Sequence, residues 1–311
     1  MERPYLSIVI PVYNEEANLK HLMERLYPAI QDTGHSFEII FTNDGSSDRS
    51  LDILCKMAEE YKGVKVIEFT GNFGQHMAIL AAFELSGGEI IITLDADLQN
   101  PPEEIPRLVT EIEKGYDVVG TIRQKRRDSP FRKMASRIVN ITTNKITGMQ
   151  MQDYGCMLRA YHRYVVDSIN RCRESTTFIP ALAQTFASNP TEIEVGHSER
   201  AEGESKYSFY KLIRLNFDLM TGFSVVPLQL FALFGIITSV MSVAFAIFLI
   251  VRRFIVGAEV EGVFTLFAIL FFFIGIIIMG IGIVGEYVGR IYQEVRKRPR
   301  FVVRRTYGFE E

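Results

Sequence analysis

The sequence predicts an α/β domain with a mostly parallel sheet, followed by a two-helix membrane hairpin, and three observations predict it. Over residues 1–210, short Val/Ile-rich runs alternate with helix-length amphipathic segments, the pattern of strands buried between layers of helices. Polar clusters stand at the ends of three of those runs. Past residue 228, two long apolar runs carry almost no charge.

Leu6–Val12 reads as the first strand and Glu15–Gln31 as the helix behind it. Phe37–Thr42 with Asp48–Tyr61 repeats the unit, and Val64–Phe69 with Gly74–Leu85 repeats it again. Glu89–Leu94 is the fourth strand, Glu103–Lys114 a further helix and Asp117–Thr121 the fifth strand. Ligands of such sheets bind beyond the carboxyl ends of the strands. That rule places Tyr13, Asn43-Asp44 and Asp95-Ala96-Asp97 on one rim.

The apolar runs Leu228–Val251 and Val263–Gly285 each reach the roughly 20 residues that cross a bilayer as a helix. A core helix of a soluble protein explains one such run, but not two in tandem. Basic residues are denser outside the pair, at Lys206, Lys211 and Arg214 before it and Arg290, Arg296, Lys297, Arg298 and Arg300 after it. Arg252 and Arg253 in the connecting loop are outnumbered, so both ends are expected in the cytoplasm. Phe131, Met134, Ile138 and Ile141 recur at helical spacing beside Arg132, Lys133 and Arg137, as do Phe209, Leu212, Ile213 and Phe217 beside Lys211 and Arg214. Such basic amphipathic helices lie in the headgroup layer or pack on the soluble domain; the second leads directly into the apolar runs, which favours the interfacial reading there.

Composition excludes other classes. A net charge of -3 over 311 residues predicts no nucleic-acid partner. Cys55, Cys156 and Cys172 are too scattered for a zinc site or disulfide framework and read as free thiols. The apolar run at the N-terminus is too short for a signal sequence and reads as the first strand.

The chemistry centres on Asp95 and Asp97. Hard carboxylate oxygens suit Mg²⁺ or Mn²⁺, which commonly bridge one or two carboxylates to substrate phosphates. The pair follows an apolar strand and precedes Leu98-Gln99-Asn100-Pro101-Pro102, which ends the strand and opens a helix. The clusters Pro11-Val12-Tyr13-Asn14-Glu15 and Asn43-Asp44-Gly45-Ser46-Ser47-Asp48 supply an aromatic ring and carboxylates for a base and ribose. Their plainer reading is turn chemistry, with Asp48 capping the next helix. Gly280-Ile281-Gly282-Ile283-Val284-Gly285 matches a dinucleotide fingerprint, but it lies in an apolar run without a preceding soluble strand, so helix packing accounts for it.

Together with Gly74-Gln75-His76, Asp153-Tyr154-Gly155-Cys156-Met157-Leu158-Arg159 and Gly203-Glu204-Ser205-Lys206-Tyr207-Ser208, these motifs resemble the polyprenyl-phosphate branch of the family 2 glycosyltransferases. The similarity extends over nearly the whole chain and is greatest to members that transfer 4-deoxy-4-formamido-L-arabinose in lipid A modification. It implies a GT-A domain over residues 1–210, an interfacial helix and two transmembrane helices over 211–289, and a basic cytoplasmic tail over 290–311. The implied reaction moves a sugar from a UDP-sugar donor to undecaprenyl phosphate at the inner membrane, with inversion. Pro11, Tyr13, Glu15 and Asp44 would hold the nucleoside, while Asp95 and Ala96 would touch ribose and diphosphate. Asp97 and Gln99 would hold Mg²⁺ or Mn²⁺. Arg123, Arg200 and Lys206 would contact phosphates. Asp153 takes the general-base position, although a phosphate monoester with a second pKa of about 6 needs little activation near neutral pH. The resemblance also implies membrane lipid as a partner and a homo-oligomer.

One departure is Asn43, where the family often has Asp, so nucleotide contact carries over to Asp44 alone. The same chemistry with glucose or mannose is the nearest rival. A processive polysaccharide synthase uses a Gln-x-x-Arg-Trp motif, and this chain has 0 tryptophans. A nucleotide-binding scaffold without turnover is the rival outside enzymes, opposed by the intact Asp95, Asp97, Asp153 and Lys206.

Overall fold

The computed structural model describes residues 3–123, 156–172, 178–196, 226–256, 263–296 and 298–309. The expected amphipathic helices around Phe131–Ile141 and Phe209–Phe217, and the residues Asp153, Arg200 and Lys206, lie outside the described residues.

The chain opens with β1 (Leu6–Val12), α1 (Leu19–Gln31), β2 (Phe37–Asn43), α2 (Ser50–Glu60), β3 (Val64–Phe69), α3 (Gln75–Leu85) and β4 (Ile90–Thr93). After a 3₁₀ turn at Pro102–Glu104 come α4 (Ile105–Glu113), β5 (Val118–Arg123), β6 (Arg159–His162), α5 (Arg163–Arg171), α6 (Ile179–Phe186) and β7 (Pro190–Val195). Two long helices, α7 (Val226–Val256) and α8 (Val263–Val295), precede β8 (Val303–Tyr307).

The described strands form one sheet in the order β7-β5-β6-β4-β1-β2-β3-β8. β1 pairs in parallel with both β2 and β4, β2 with β3, and β5 with β7, while β6 and β8 run against their neighbours. The sheet is therefore mixed, with six strands running one way. Leu6, Ile8, Ile10 and Val12 of β1 join Ile39, Phe41, Ile90 and Ile92 in a core completed by Leu22, Leu26, Leu108 and Ile112 of the helices. Each fully buried side chain of this kind contributes about 1.5–3 kcal/mol, so the apolar runs hold the layers together.

At the amino ends of the strands, the buried Glu38 accepts hydrogen bonds from Ser7 Oγ (2.6 Å) and Gly87 N (2.6 Å) and pairs with Lys65 at 2.7 Å. This network clamps β1, β2 and β3 far from the opposite rim.

The sheet departs from the sequence expectation in three places. α1 starts at Leu19 rather than Glu15, and ahead of it the Glu15 and Glu16 amides donate to Ser50 Oγ (2.9 Å) and Asp48 Oδ2 (3.1 Å), which ties this stretch to the loop after β2. β6 and β7 lack the Val/Ile runs that mark the other strands. The residues after α8 form an edge strand, β8, paired with β3.

The chain divides into two compact units, Met1–Asn144, Gly148–Lys206 and Arg298–Glu311 in the first, Lys145–Thr147 and Tyr207–Lys297 in the second. Within the second, the apolar windows Leu228–Phe245 and Phe272–Tyr292 have a mean hydropathy of 2.0 each and are long enough to span a membrane. Gly280 lies against Phe231, and a Cβ there would meet the aromatic ring. Of the glycines in this run, Gly280 is the one set in such a contact among the described residues.

Candidate active site at the strand-crossover rim

The direction of winding reverses at β1. The chain builds β1, β2 and β3 outward, then returns to place β4 on the other side of β1. Such a reversal opens a crevice at the carboxyl ends of the two central strands. Leu94 N donates to Val9 O at 3.0 Å, so Asp95-Ala96-Asp97 emerge beside the end of β1. Asp44 N donates to Val12 O at 2.8 Å, which brings Asp44 next to Tyr13.

Side chains brace the loops after β1 and β2 against each other. Asn14 N donates to Ser46 Oγ (3.0 Å), and Asn14 Oδ1 accepts from Ser47 N (2.8 Å). Asp48 Oδ1 accepts from Ser50 N at 2.9 Å, so Asp48 serves the turn, while the residue at the N-cap of α2 is Arg49 rather than Asp48. Asn43 is buried, and its Oδ1 accepts from Ser46 N at 3.4 Å. Tyr13 projects at the rim with 49% of its surface exposed, the setting of a stacking platform. Pro11 lies one residue before the end of β1, and Glu15 Oε2 accepts from Asn18 Nδ2 at 2.6 Å.

The buried Asp44 carboxylate faces the loop after β3. Its oxygens accept from Phe73 N at 2.6 Å and Gly74 N at 2.9 Å. Burial pushes its pKa above the ordinary carboxylate value, and the two N–H groups offset part of that rise. Gly45, at φ +69°, fits against the same loop, where a Cβ would lie 2.5 Å from the Gly71 carbonyl carbon.

Gln75, the first residue of α3, donates from Nε2 to Asp95 Oδ1 at 2.6 Å. The Gly74-Gln75-His76 motif contained that contact, but residue type alone did not indicate it. His76 follows with an unpartnered, buried Nδ1 and its ring edge on Phe178 at 5.1 Å. Burial holds its pKa down to about 4, so it is neutral near pH 7.

The loop after β4 carries the second carboxylate. Asp97 Oδ1 accepts from Gln99 N at 3.1 Å. Between them Leu98 sits at φ 60°, and Asn14 at φ 56° is the other non-glycine residue with positive φ among those described. A bulky residue in the left-handed region is strained by about 1–3 kcal/mol, and such strain clusters at functional sites. Asn100 is buried, with its Oδ1 3.4 Å from the Cys156 thiol, which also lies 2.9 Å from Thr121 Oγ1. Thus the segment that follows Asp153 enters the described structure beside the loop of Asp95 and Asp97. Arg159, which ends that motif, is fully buried and donates from Nε to Cys156 O at 2.9 Å.

Arg123 is the last residue of β5, which runs with β1 and β4 and so ends at the same rim. β7 ends there as well, at Val195, a few residues before Arg200. The rim thus gathers Pro11, Tyr13, Glu15, Asp44, Asp95, Ala96, Asp97 and Gln99, with the backbone of Arg123 alongside.

Two carboxylates and an amide oxygen are hard donors. Among the described residues no group of three His, Cys, Asp or Glu side chains stands as a protein-only metal cage. That donor set fits a divalent cation completed by substrate phosphates, which is how Mg²⁺ is usually bound.

A mixed sheet with its crevice at the β1/β4 reversal and paired carboxylates leaving β4 suits an enzyme that handles a phosphorylated substrate with a divalent cation. The chain belongs to glycosyl transferase family 2, whose profile matches residues 7–169. It is similar to the undecaprenyl-phosphate 4-deoxy-4-formamido-L-arabinose transferase of Photorhabdus laumondii, 51% identical over 306 residues that cover 97% of this chain and 94% of that one. The transferase so named from Pseudomonas paraeruginosa is 51% identical over 312 residues, covering 98% and 92%. Among solved structures, glucosyl-3-phosphoglycerate synthase from Mycobacterium tuberculosis in complex with Mn²⁺, uridine diphosphate and glucosyl-3-phosphoglycerate matches with a TM-score of 0.52, 17% identity and coverage of 71% and 78%. At that identity the likeness carries the fold alone.

Proposed function

We propose that the chain transfers 4-deoxy-4-formamido-L-arabinose from its UDP derivative to undecaprenyl phosphate. The observation that carries this reading is the crevice itself, with Asp95 and Asp97 leaving β4 beside the Tyr13 and Asp44 rim. The choice of sugar and acceptor rests on the 51% identity to transferases of that name along nearly the full chain.

In this reading Tyr13 stacks on the base, Pro11 and Glu15 line its pocket, and Asp44 accepts from the nucleoside. Asp95 and Ala96 meet ribose and diphosphate. Asp97 and Gln99 would hold Mg²⁺ or Mn²⁺, which supplies positive charge against the diphosphate when bound. Arg123, Arg200 and Lys206 add the further cations that a site joining a diphosphate to a lipid phosphate needs. An acceptor phosphate oxygen attacks the anomeric carbon as the bond from that carbon to the donor diphosphate breaks, so UDP leaves and the configuration inverts. Asp153 orients the acceptor phosphate or takes its residual proton.

The two apolar helices would hold the chain at the membrane in which the lipid phosphate resides. Their flanking positive charge favours a cytoplasmic catalytic domain in the inner membrane, and the family resemblance favours a homo-oligomer.

The test is transfer in liposomes with undecaprenyl phosphate and UDP-4-deoxy-4-formamido-L-arabinose, UDP-glucose or GDP-mannose. EDTA and Asp97→Ala serve as controls. Product from the formamido-arabinose donor alone, abolished by EDTA, supports the reading. Product from another donor keeps the reaction class and overturns the sugar.

A further inference from the structure

We infer that Phe301, in the segment that follows α8, is a positioning residue for the nucleotide site, acting through Phe69 and Phe73 on Asp44. The inference rests on the proposed role of Asp44 in holding the nucleoside.

Residues 70–74, Thr-Gly-Asn-Phe-Gly, have little stiffness of their own, since glycines at two of five positions leave the backbone free. Their placement therefore depends on what touches them. On one side stand the Asp44 carboxylate, which accepts from Phe73 N and Gly74 N, and Gly45, packed on Gly71 and Asn72. On the other side stands the segment after α8. Thr70 N donates to Val302 O at 3.0 Å, and β8 continues that pairing along β3. Phe301 stacks on the buried Phe69 with ring centres 5.2 Å apart and planes 12° from parallel. Phe69 in turn meets Phe73 edge to face at 5.5 Å. Arg300 donates to the Cys172 carbonyl, fixing the approach to Phe301. The next residue past the loop, Gln75, holds Asp95.

Three rings therefore join the residues after the second apolar helix to the backbone that holds one site carboxylate, and Gln75 extends the link to the other. Removing the Phe301 ring frees Phe69 and Phe73 to shift and loosens the amides on Asp44.

The experiment compares Phe301→Ala, Phe301→Leu, Phe301→Tyr and Asp44→Asn in the full-length detergent-solubilised chain with Mg²⁺. UDP affinity is read by calorimetry, donor KM and kcat by transfer, and the 70–75 amides by hydrogen exchange. Coupling through such a contact chain is worth about two- to thirtyfold. Phe301→Ala is expected to weaken UDP binding and raise donor KM within that range, hasten exchange of residues 70–75 and leave kcat within about twofold of the parent. Phe301→Tyr restores all three. Phe301→Leu, which keeps apolar bulk without a ring to stack, shows the same signs should the alanine variant fail to fold. If UDP affinity and exchange stay at the parental values in the alanine and leucine variants while Asp44→Asn weakens binding, the inference is overturned and the Asp44 reading stands. If Asp44→Asn leaves UDP binding intact, the Asp44 reading falls and takes the inference with it.

Discussion

At the scale of single residues, the site is built on positions that are costly to change. Gly45 needs both its φ of +69° and its bare Cα, since a Cβ would come within 2.5 Å of the Gly71 backbone. Gly45→Ala is expected to lower stability by about 1–3 kcal/mol and to raise donor KM as the 70–74 loop is pushed off Asp44. Thermal melting and steady-state transfer check both effects, and an unchanged KM removes this loop from the donor site. Gln75→Ala removes a charge-assisted hydrogen bond to Asp95, which at this exposed position predicts a roughly tenfold or smaller loss in kcat/KM. Parental kcat/KM in that variant means Asp95 is held without Gln75.

Sequence placed Asp95, Asp97 and Asp44 on one rim, because each closely follows the end of a Val/Ile-rich strand of a mostly parallel sheet. It could not show that Asn43 caps a turn or that Leu98 takes a positive φ. Both depend on bonds to segments distant in sequence or on the path the surrounding loop takes.

At the scale of elements, β7 is reached through a short turn held by Asp117. Its Oδ2 accepts from Ser188 N at 2.7 Å and Asn189 N at 2.6 Å. Burial opposes ionisation there, but hydrogen bonds from Tyr164, Asn189 and Ser188 outweigh it and hold the carboxyl below its ordinary pKa. A carboxyl depressed in the folded state stabilises it above the unfolded pKa of about 3.9 and loses that contribution as pH falls through the lower folded value. Asp117→Asn should therefore melt at a lower temperature than the parent at pH 7, with the gap narrowing in acid. A gap independent of pH means the charge is not what the turn requires. The strands β1 to β5 were readable from their Val/Ile runs. β6 was not, since its four residues, Arg-Ala-Tyr-His, show no run, and its Arg159 is buried only because the sheet closes over it.

At the scale of the whole molecule, β3 and β8 share a ladder although α7 and α8 separate them in sequence. Strands that share a ladder share a side of any membrane, so the reading of α7 and α8 as membrane spans requires that the two helices cross as a pair. With the basic flanks on the cytoplasmic side, a cysteine introduced by Ala258→Cys in a Cys55/Cys156/Cys172-free background should react with an impermeant thiol reagent from the periplasmic side. One introduced by Phe309→Cys should react only after the cytoplasmic side is opened. The reverse pattern would invert the proposed orientation. α8, at 33 residues, is about 50 Å long, more than a hydrocarbon core of roughly 30 Å, and its apolar window ends at Tyr292. Near its end Arg290 pairs with Glu286 at 2.9 Å.

By itself the sequence determined the carboxylate rim, the apolar helix pair and most of the parallel strands, and through its family resemblance it implied the reaction class. Each of these is written in local runs, whether apolar periodicity, hydropathy or a short motif at a strand end. The tertiary structure alone decided that the residues after α8 complete the sheet, that Gln75 holds Asp95, and that α1 begins four residues late. Those features come from contacts between segments 20 to 240 residues apart, where pairing energy outweighs local propensity and leaves no period in the sequence.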